Sequence, residues 1–75
     1  MLIRIFTVSG REIELDVEKK DTIEKVKRRI EEKEGIPPRQ QRLVFSGREM
    51  VDNKTIENYG VSAGQKINLV LSLRG

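Results

Sequence analysis

The 75-residue sequence predicts an α+β domain in which one amphipathic helix packs on one face of a mixed sheet. Two alternating apolar segments stand at the N-terminus, one segment with helical periodicity follows, and shorter alternating segments complete the chain. No linker, repeat or low-complexity stretch divides the sequence. We therefore interpret residues 1–75 as a single domain with a C-terminal tail from about residue 71.

The first two segments have the alternation of half-buried strands. Residues 1–7 place Ile3 and Ile5 on one face, and residues 11–17 repeat the pattern. Gly10 can adopt a positive φ, so the short connection predicts a hairpin with a bulged three-residue loop.

The third segment is predicted to be an amphipathic helix, because apolar residues recur at helical spacing from Ile23 to Ile30 and charged residues cover the other positions. Either Asp21 or Thr22 can cap its N-terminus. Gly35 suits the left-handed position that ends a helix, and the two prolines that follow cannot continue one.

Oppositely charged residues four positions apart on this helix are expected to pair. The pairs are Glu24 with Arg28 and Lys27 with Glu31. Each contributes only about 0.3 kcal/mol, so the charged face is interpreted mainly as a solvated surface.

The rest of the chain predicts three strands and one helical turn. Alternation directs Leu43, Ile67 and Leu69 towards the helix and leaves Val44 and Val70 facing water. The predicted elements are strands over residues 40–45, 48–51 and 66–71, a tight turn at Ser46 and Gly47, and a helical turn within residues 54–59.

The composition excludes most catalytic and metal chemistry. Without cysteine or histidine, the chain has no disulfide, no thiolate and neither of the side chains that most often bind zinc. The net charge of +3 comes from interleaved charges, and two phenylalanines and one tyrosine offer little for base stacking. No run is long enough to span a membrane, and no signal peptide is evident. We expect a soluble intracellular monomer that is not an enzyme, has no metal or cofactor, and binds neither nucleic acid nor membrane.

Several stretches resemble the ubiquitin family of protein modifiers, and its neddylation branch (Nedd/Rub) more than ubiquitin itself. The likeness runs without gaps from residue 1 to residue 75 and implies a β-grasp fold. The stretches that carry it are EEKEGIPPRQQRLVFSG (residues 31–47), LVLSLRG at the end, GREIELDVE (residues 10–18), and SGREM (residues 46–50).

The resemblance implies a covalent tag, and leaves a ubiquitin variant or a non-covalent ubiquitin-like interaction domain as alternatives. Its partners would be activating, conjugating and ligase enzymes, cullin-type substrates and deconjugating proteases, in the cytoplasm and nucleus. Gly75 is the implied point of conjugation, and because family members end in two glycines, we expect this chain to be one residue short of a mature tail. The residues implied in activating-enzyme recognition are Leu71, Ser72, Leu73 and Arg74.

The resemblance implies that the activating enzymes of the two modifier systems distinguish their modifiers at position 72. Ubiquitin has arginine there and the neddylation branch has alanine, whereas this chain has Ser72. A guanidinium without acidic partners would be desolvated and unpaired, and serine avoids that cost. We therefore expect the neddylation activating enzyme to accept this chain.

The resemblance also bears on the lysines. Five positions where ubiquitin has lysine are occupied here by Phe6, Arg11, Arg29, Arg48 and Ala63. Arginine cannot act as the amine nucleophile, so a modifier attached in single copies is expected. Lys27 and Lys33 remain as possible acceptors, although the match of Lys27 with Asp52 to a buried pair of ubiquitin implies a structural salt bridge.

An apolar patch is expected where Val44 and Val70 face water and Val8 stands at the hairpin tip. Isolated exposed valines are ordinary on protein surfaces, but the resemblance implies a partner-binding patch. Each valine that replaces leucine or isoleucine removes about 0.8 kcal/mol of burial at most, so binding is expected to be weaker but intact. Its predicted rim is formed by Arg42, Arg48 and Asn68.

Overall fold

A five-stranded mixed sheet and one α-helix form the structure, a computed structural model that describes residues 1–72. In chain order, the elements are β1 (Leu2–Thr7), β2 (Glu12–Asp16), α1 (Ile23–Glu34), a 3₁₀ turn (Pro38–Gln40), β3 (Gln41–Phe45), β4 (Arg48–Glu49), a second 3₁₀ turn (Glu57–Tyr59) and β5 (Lys66–Leu71).

The strands lie in the order β2-β1-β5-β3-β4. β1 and β5 pair in parallel, and the other neighbouring pairs are antiparallel. The last strand is therefore inserted between the N-terminal hairpin and the β3–β4 hairpin. This arrangement confirms the predicted α+β class with a mixed sheet.

The core lies between α1 and one face of the sheet. Ile23, Val26 and Ile30 of the helix are fully buried, as the helical periodicity predicts. The sheet and the connecting segments supply the remaining buried apolar side chains: Ile3, Ile5, Ile13, Leu15, Val17, Leu43, Met50, Ile56, Val61, Ile67 and Leu69.

Local capping contacts fix both ends of α1. The Thr22 Oγ1 accepts a hydrogen bond from the Lys25 N–H at 3.2 Å, so Thr22 is the N-cap. The Asp21 carboxylate instead accepts from the Glu18 N–H at 2.9 Å. At the other end Gly35 has φ +73°, and its N–H donates to the Glu31 carbonyl at 2.7 Å.

Although β2 begins only at Glu12, the first hairpin has the predicted three-residue loop, because the Thr7 N–H donates to the Arg11 carbonyl at 2.9 Å and closes it. The Gly10 N–H donates to the Thr7 carbonyl at 3.0 Å, and Gly10 has φ +88°. In the second hairpin, Ser46 and Gly47 both have positive φ, at +53° and +77°. Two such residues form the primed turn that matches the twist of paired strands.

Five predicted elements are longer than the observed ones, and the first two strands differ only by one residue at one or both ends. β3 begins at Gln41 because Pro38–Gln40 form a 3₁₀ turn, and β4 ends at Glu49, after which Met50 is buried in the core. The helical turn occupies only Glu57–Tyr59. Within the described chain no helix has the length and apolar character to cross a membrane.

Candidate functional site on the outer sheet face

One row of residues crosses all five strands on the outer face, the sheet face opposite α1. Strand register aligns Glu12, Phe6, Asn68, Val44 and Glu49 in this outer row. Cross-strand partners project their side chains to the same face. The outer row is therefore acidic at both ends and apolar, with one asparagine, in the middle.

The three predicted valines come together at the middle of this row. Val8 is 74% exposed and Val70 is 38% exposed, whereas Val44 is half-buried. They line one shallow depression of about 330 Å³ together with Asn68 and the aromatic ring of Phe6. Sequence reasoning identified the valines but did not include Phe6 in the patch. We call Val8, Val44, Val70 and Phe6 the apolar patch.

The predicted rim is only partly as expected. Arg42 lies beside Val70 in register, and its Nη2 and Nε donate to the Glu49 carboxylate at 2.7 and 3.4 Å. Arg48 is exposed but pairs with Phe45, whose position alternates with that of Val44. The two-residue turn brings Glu49, rather than Arg48, beside Val44, because cross-strand partners share a face.

The other end of the outer row carries a second bidentate pair. The Nε and Nη2 of Arg4 donate to the two Glu12 carboxylate oxygens, both at 2.9 Å. This hydrogen bonding lowers the pKa of Glu12, and the corresponding bond from Arg42 lowers the pKa of Glu49. Both acidic ends of the row are thus held ionised and paired with arginine.

The two predicted acceptor lysines have different surroundings. The Lys27 side chain is 8% exposed, and its Nζ lies 2.6 Å from Asp52 Oδ1, which confirms the expected salt bridge. The expected pairing of Lys27 with Glu31 is wrong, because the ammonium is directed at Asp52 across the fold. Glu24 and Arg28 do pair, at 3.6 Å. Lys33 is exposed on the last turn of α1.

The end of β5 sets where the chain leaves the sheet. Leu71 pairs with Gln41 and is 46% exposed. The next residue, Ser72, donates its backbone N–H to the Gln40 carbonyl at 2.7 Å. The other predicted tail residues, Leu73, Arg74 and Gly75, lie outside the described residues.

Metal-binding geometry is not found in the described part of the chain, residues 1–72. No group of three or more acidic side chains there is arranged to hold a metal ion. The outer face has an apolar centre bounded by two arginine–glutamate pairs.

Comparison with known proteins identifies the family. A model of the ubiquitin family matches residues 3–74. Ubiquitin-like protein 1 of Schizosaccharomyces pombe is 51% identical over all of this chain and 96% of that protein. The ubiquitin-like protein NEDD8 of Dictyostelium discoideum is 51% identical over all of this chain and 97% of that protein, and the NEDD8-like protein RUB1 of Saccharomyces cerevisiae is 40% identical with the same coverage. The mixed sheet packed on one helix has the β-grasp architecture that the resemblance implied. The chain belongs to the ubiquitin family.

Proposed function

We propose that this chain is a covalent protein modifier of the neddylation type. An activating enzyme uses ATP to adenylate the carboxylate of the terminal glycine, with release of pyrophosphate, and a cysteine of that enzyme displaces AMP to form a thioester. The chain then passes to a cysteine of a conjugating enzyme. With a ligase, a lysine amine of a cullin-type target displaces that thiolate, and proteases later hydrolyse the isopeptide bond. Membership of the ubiquitin family supports a modifier rather than an enzyme.

The observation that carries this proposal is the match to NEDD8-type relatives over the whole chain and nearly their whole length. Position 72 agrees with it, since the residue there is serine and not arginine. An activating enzyme whose acidic groups are placed for a guanidinium gains little from a hydroxyl. An enzyme that offers a small apolar pocket loses little binding free energy when it accepts the small serine side chain.

The position of Ser72 in the fold supports its recognition by an enzyme that binds the protein surface. The hydrogen bond from Ser72 to Gln40 ties the exit of the chain to the beginning of β3. Ser72 lines an open cleft together with Arg39 and Arg42. An enzyme that binds the tail therefore meets Ser72 beside two arginines, of which Arg42 is held by Glu49.

Thioester charging tests this function directly. The full chain, with one glycine appended after Gly75, is incubated with ATP and either the neddylation or the ubiquitin activating enzyme. We expect a thioester with the neddylation enzyme and little with the ubiquitin enzyme. Ser72→Arg should move charging towards the ubiquitin enzyme, whereas Ser62→Arg, at an exposed serine outside the tail, should not.

Two results would overturn the proposal. Preferential charging by the ubiquitin enzyme would contradict the neddylation type. Absence of a thioester with either enzyme would contradict a covalent modifier and would favour the non-covalent interaction domain. We propose the cytoplasm and nucleus as the site of action, which imaging of the tagged chain in cells would test.

A further inference from the structure

Phe6 connects the apolar patch to a second row of the outer face. In that row, strand register aligns Glu14, Arg4 and Lys66. The Lys66 Nζ lies 4.7 Å from the centroid of the Phe6 ring, and the Arg4 Cζ lies 5.5 Å from it. The same ring lines the depression formed by the three valines. The aromatic side chain is therefore in contact with both cations and with the apolar centre.

The cations of this face differ in their ion pairing. Arg4 is bonded to Glu12 and Arg42 to Glu49, each through two hydrogen bonds. Within residues 1–72, Lys66 has its ring contact but no ion pair within 4.0 Å.

The acids of the neighbouring hairpin form no ion pair with Lys66, although the charge of Lys66 contributes to the lowered pKa of Glu12. Glu12 and Glu14 lie on β2, two strands from Lys66 on β5. That separation is about 10 Å in the sheet, and Glu12 is already bonded to Arg4. Among the described residues, Lys66 is the cation of this face that has no hydrogen-bonded acid.

A partner that covers this face would desolvate its paired and unpaired cations at different cost. Arg4 and Arg42 enter an interface already neutralised by their own glutamates. Lys66 would lose water without gaining a carboxylate, and desolvation of an unpaired ammonium opposes binding. A partner that supplies a carboxylate at this position removes the penalty, and one that supplies a second cation adds repulsion.

We propose that the outer face docks a partner segment that packs an aliphatic side chain on Phe6 and Val44 and directs a carboxylate to Lys66. Phe6 is then a specificity-determining residue, because it supplies a large apolar surface beside the cation. The proposal rests on the proposed modifier function and deepens it, since such a segment would belong to a protein that recognises the tag.

Binding of two labelled peptides to the full chain tests this docking. Both are amphipathic helices with leucines at i and i+4, and they differ at one flanking position, which is glutamate in the first and glutamine in the second. Fluorescence anisotropy gives the two Kd values. We expect the glutamate peptide to bind about tenfold more tightly. Lys66→Gln should remove that difference, and Phe6→Ala should weaken both peptides at least several-fold.

Leu2→Ala is the matched control, because Leu2 is a 45% exposed apolar residue on the same strand and the same face. It should leave both Kd values unchanged within a factor of two. Equal affinities for the two peptides, no binding of either, or a difference that survives Lys66→Gln would each overturn the proposal. Lys66 is exposed, so its variant remains informative if Phe6→Ala proves unstable.

Failure of this docking is distinguishable from failure of the modifier function. Thioester charging of the same variants, with the appended glycine, depends on the tail and not on Lys66. Normal charging with no preference for the glutamate peptide would overturn only the docking proposal. Loss of charging in the unsubstituted chain would overturn the modifier function itself.

Discussion

The Nζ of Lys27 lies 2.6 Å from the Oδ1 of Asp52, and this ion pair joins the middle of α1 to the segment after β4. The two partners are unequally buried: the lysine side chain is 8% exposed and the aspartate 56%. The backbone supports the same junction, because the Glu24 N–H donates to the Asp52 carbonyl at 3.1 Å. Lys27 therefore stabilises the packing of helix and loop through its buried stem as well as its charge.

Lys27→Ala is expected to lower the free energy of unfolding by about 3 kcal/mol, since it leaves a cavity and removes the pair. Asp52→Asn should cost only about 1 kcal/mol, because water still reaches this side of the pair. Urea denaturation measures both.

The exposed Glu24–Arg28 pair provides the control for this comparison. Glu24→Gln should change stability by less than about 0.5 kcal/mol. A Lys27→Ala variant as stable as Glu24→Gln would show that the buried pair does not hold helix and loop together.

Val44→Asp is expected to abolish binding at the apolar patch while leaving the fold intact. Val44 is half-buried on the outer face, so the new carboxylate remains in contact with water. The stability loss should stay near 1 kcal/mol. The neighbouring Leu43 is fully buried, and Leu43→Asp should unfold the domain. Thermal melting and peptide binding measure the two effects, and a collapse of the melting temperature in Val44→Asp would contradict the assignment.

Gln41→Glu should be strongly destabilising at neutral pH. The Gln41 side chain is 2% exposed, and its Nε2 donates to the carbonyls of Lys27 and Ile36 at 2.8 and 2.9 Å. A carboxylate there has no N–H groups to donate and faces two carbonyl oxygens, which lowers the free energy of unfolding by about 3 kcal/mol. Gln40→Glu is the matched control, because its bond to Ser72 uses the backbone carbonyl. Equal stability of the two variants in chemical denaturation would contradict this account.

Asp21 should make the stability depend on pH in the acid range. The Glu18 N–H bond, followed by the Lys25 side chain, lowers the pKa of Asp21 below its ordinary value. A lowered folded pKa contributes stability above the unfolded value, near pH 4, and that contribution is lost as pH falls through the folded value.

The matched variant for this effect is Asp21→Asn. It should cost about 1.5 kcal/mol at pH 7, and the difference from the unsubstituted chain should shrink below about pH 3. Urea denaturation across that range measures the difference. A difference that is independent of pH would assign the effect to packing rather than to charge.

Much of the candidate site could be predicted from strand alternation. The outward positions of Val44 and Val70 follow from the buried Leu43 and Leu69 beside them, and the hairpin placed Val8 nearby. The position of Glu49 was also within reach. A two-residue turn at Ser46 and Gly47 pairs Phe45 with Arg48 and Val44 with Glu49.

Phe6 was harder to predict. Alternation puts its side chain on the outer face, yet nothing local shows that β5 lies beside β1 and brings Lys66 and Asn68 to the ring. Those contacts join positions about 60 residues apart, as the Phe6 register with Asn68 illustrates.

The sequence by itself determined the elements whose signals are local. The cap at Thr22, the left-handed Gly35 and the period-two strands act within a few residues, and the resemblance implied the family on the same primary information. Only the tertiary structure decided which side chains meet across elements: Lys27 with Asp52 rather than Glu31, Glu49 beside Val44, and a lysine at Phe6 without a bonded acid. The physical reason is that local caps and alternation depend on backbone geometry, whereas these contacts depend on strand order and on the packing of segments far apart in the chain.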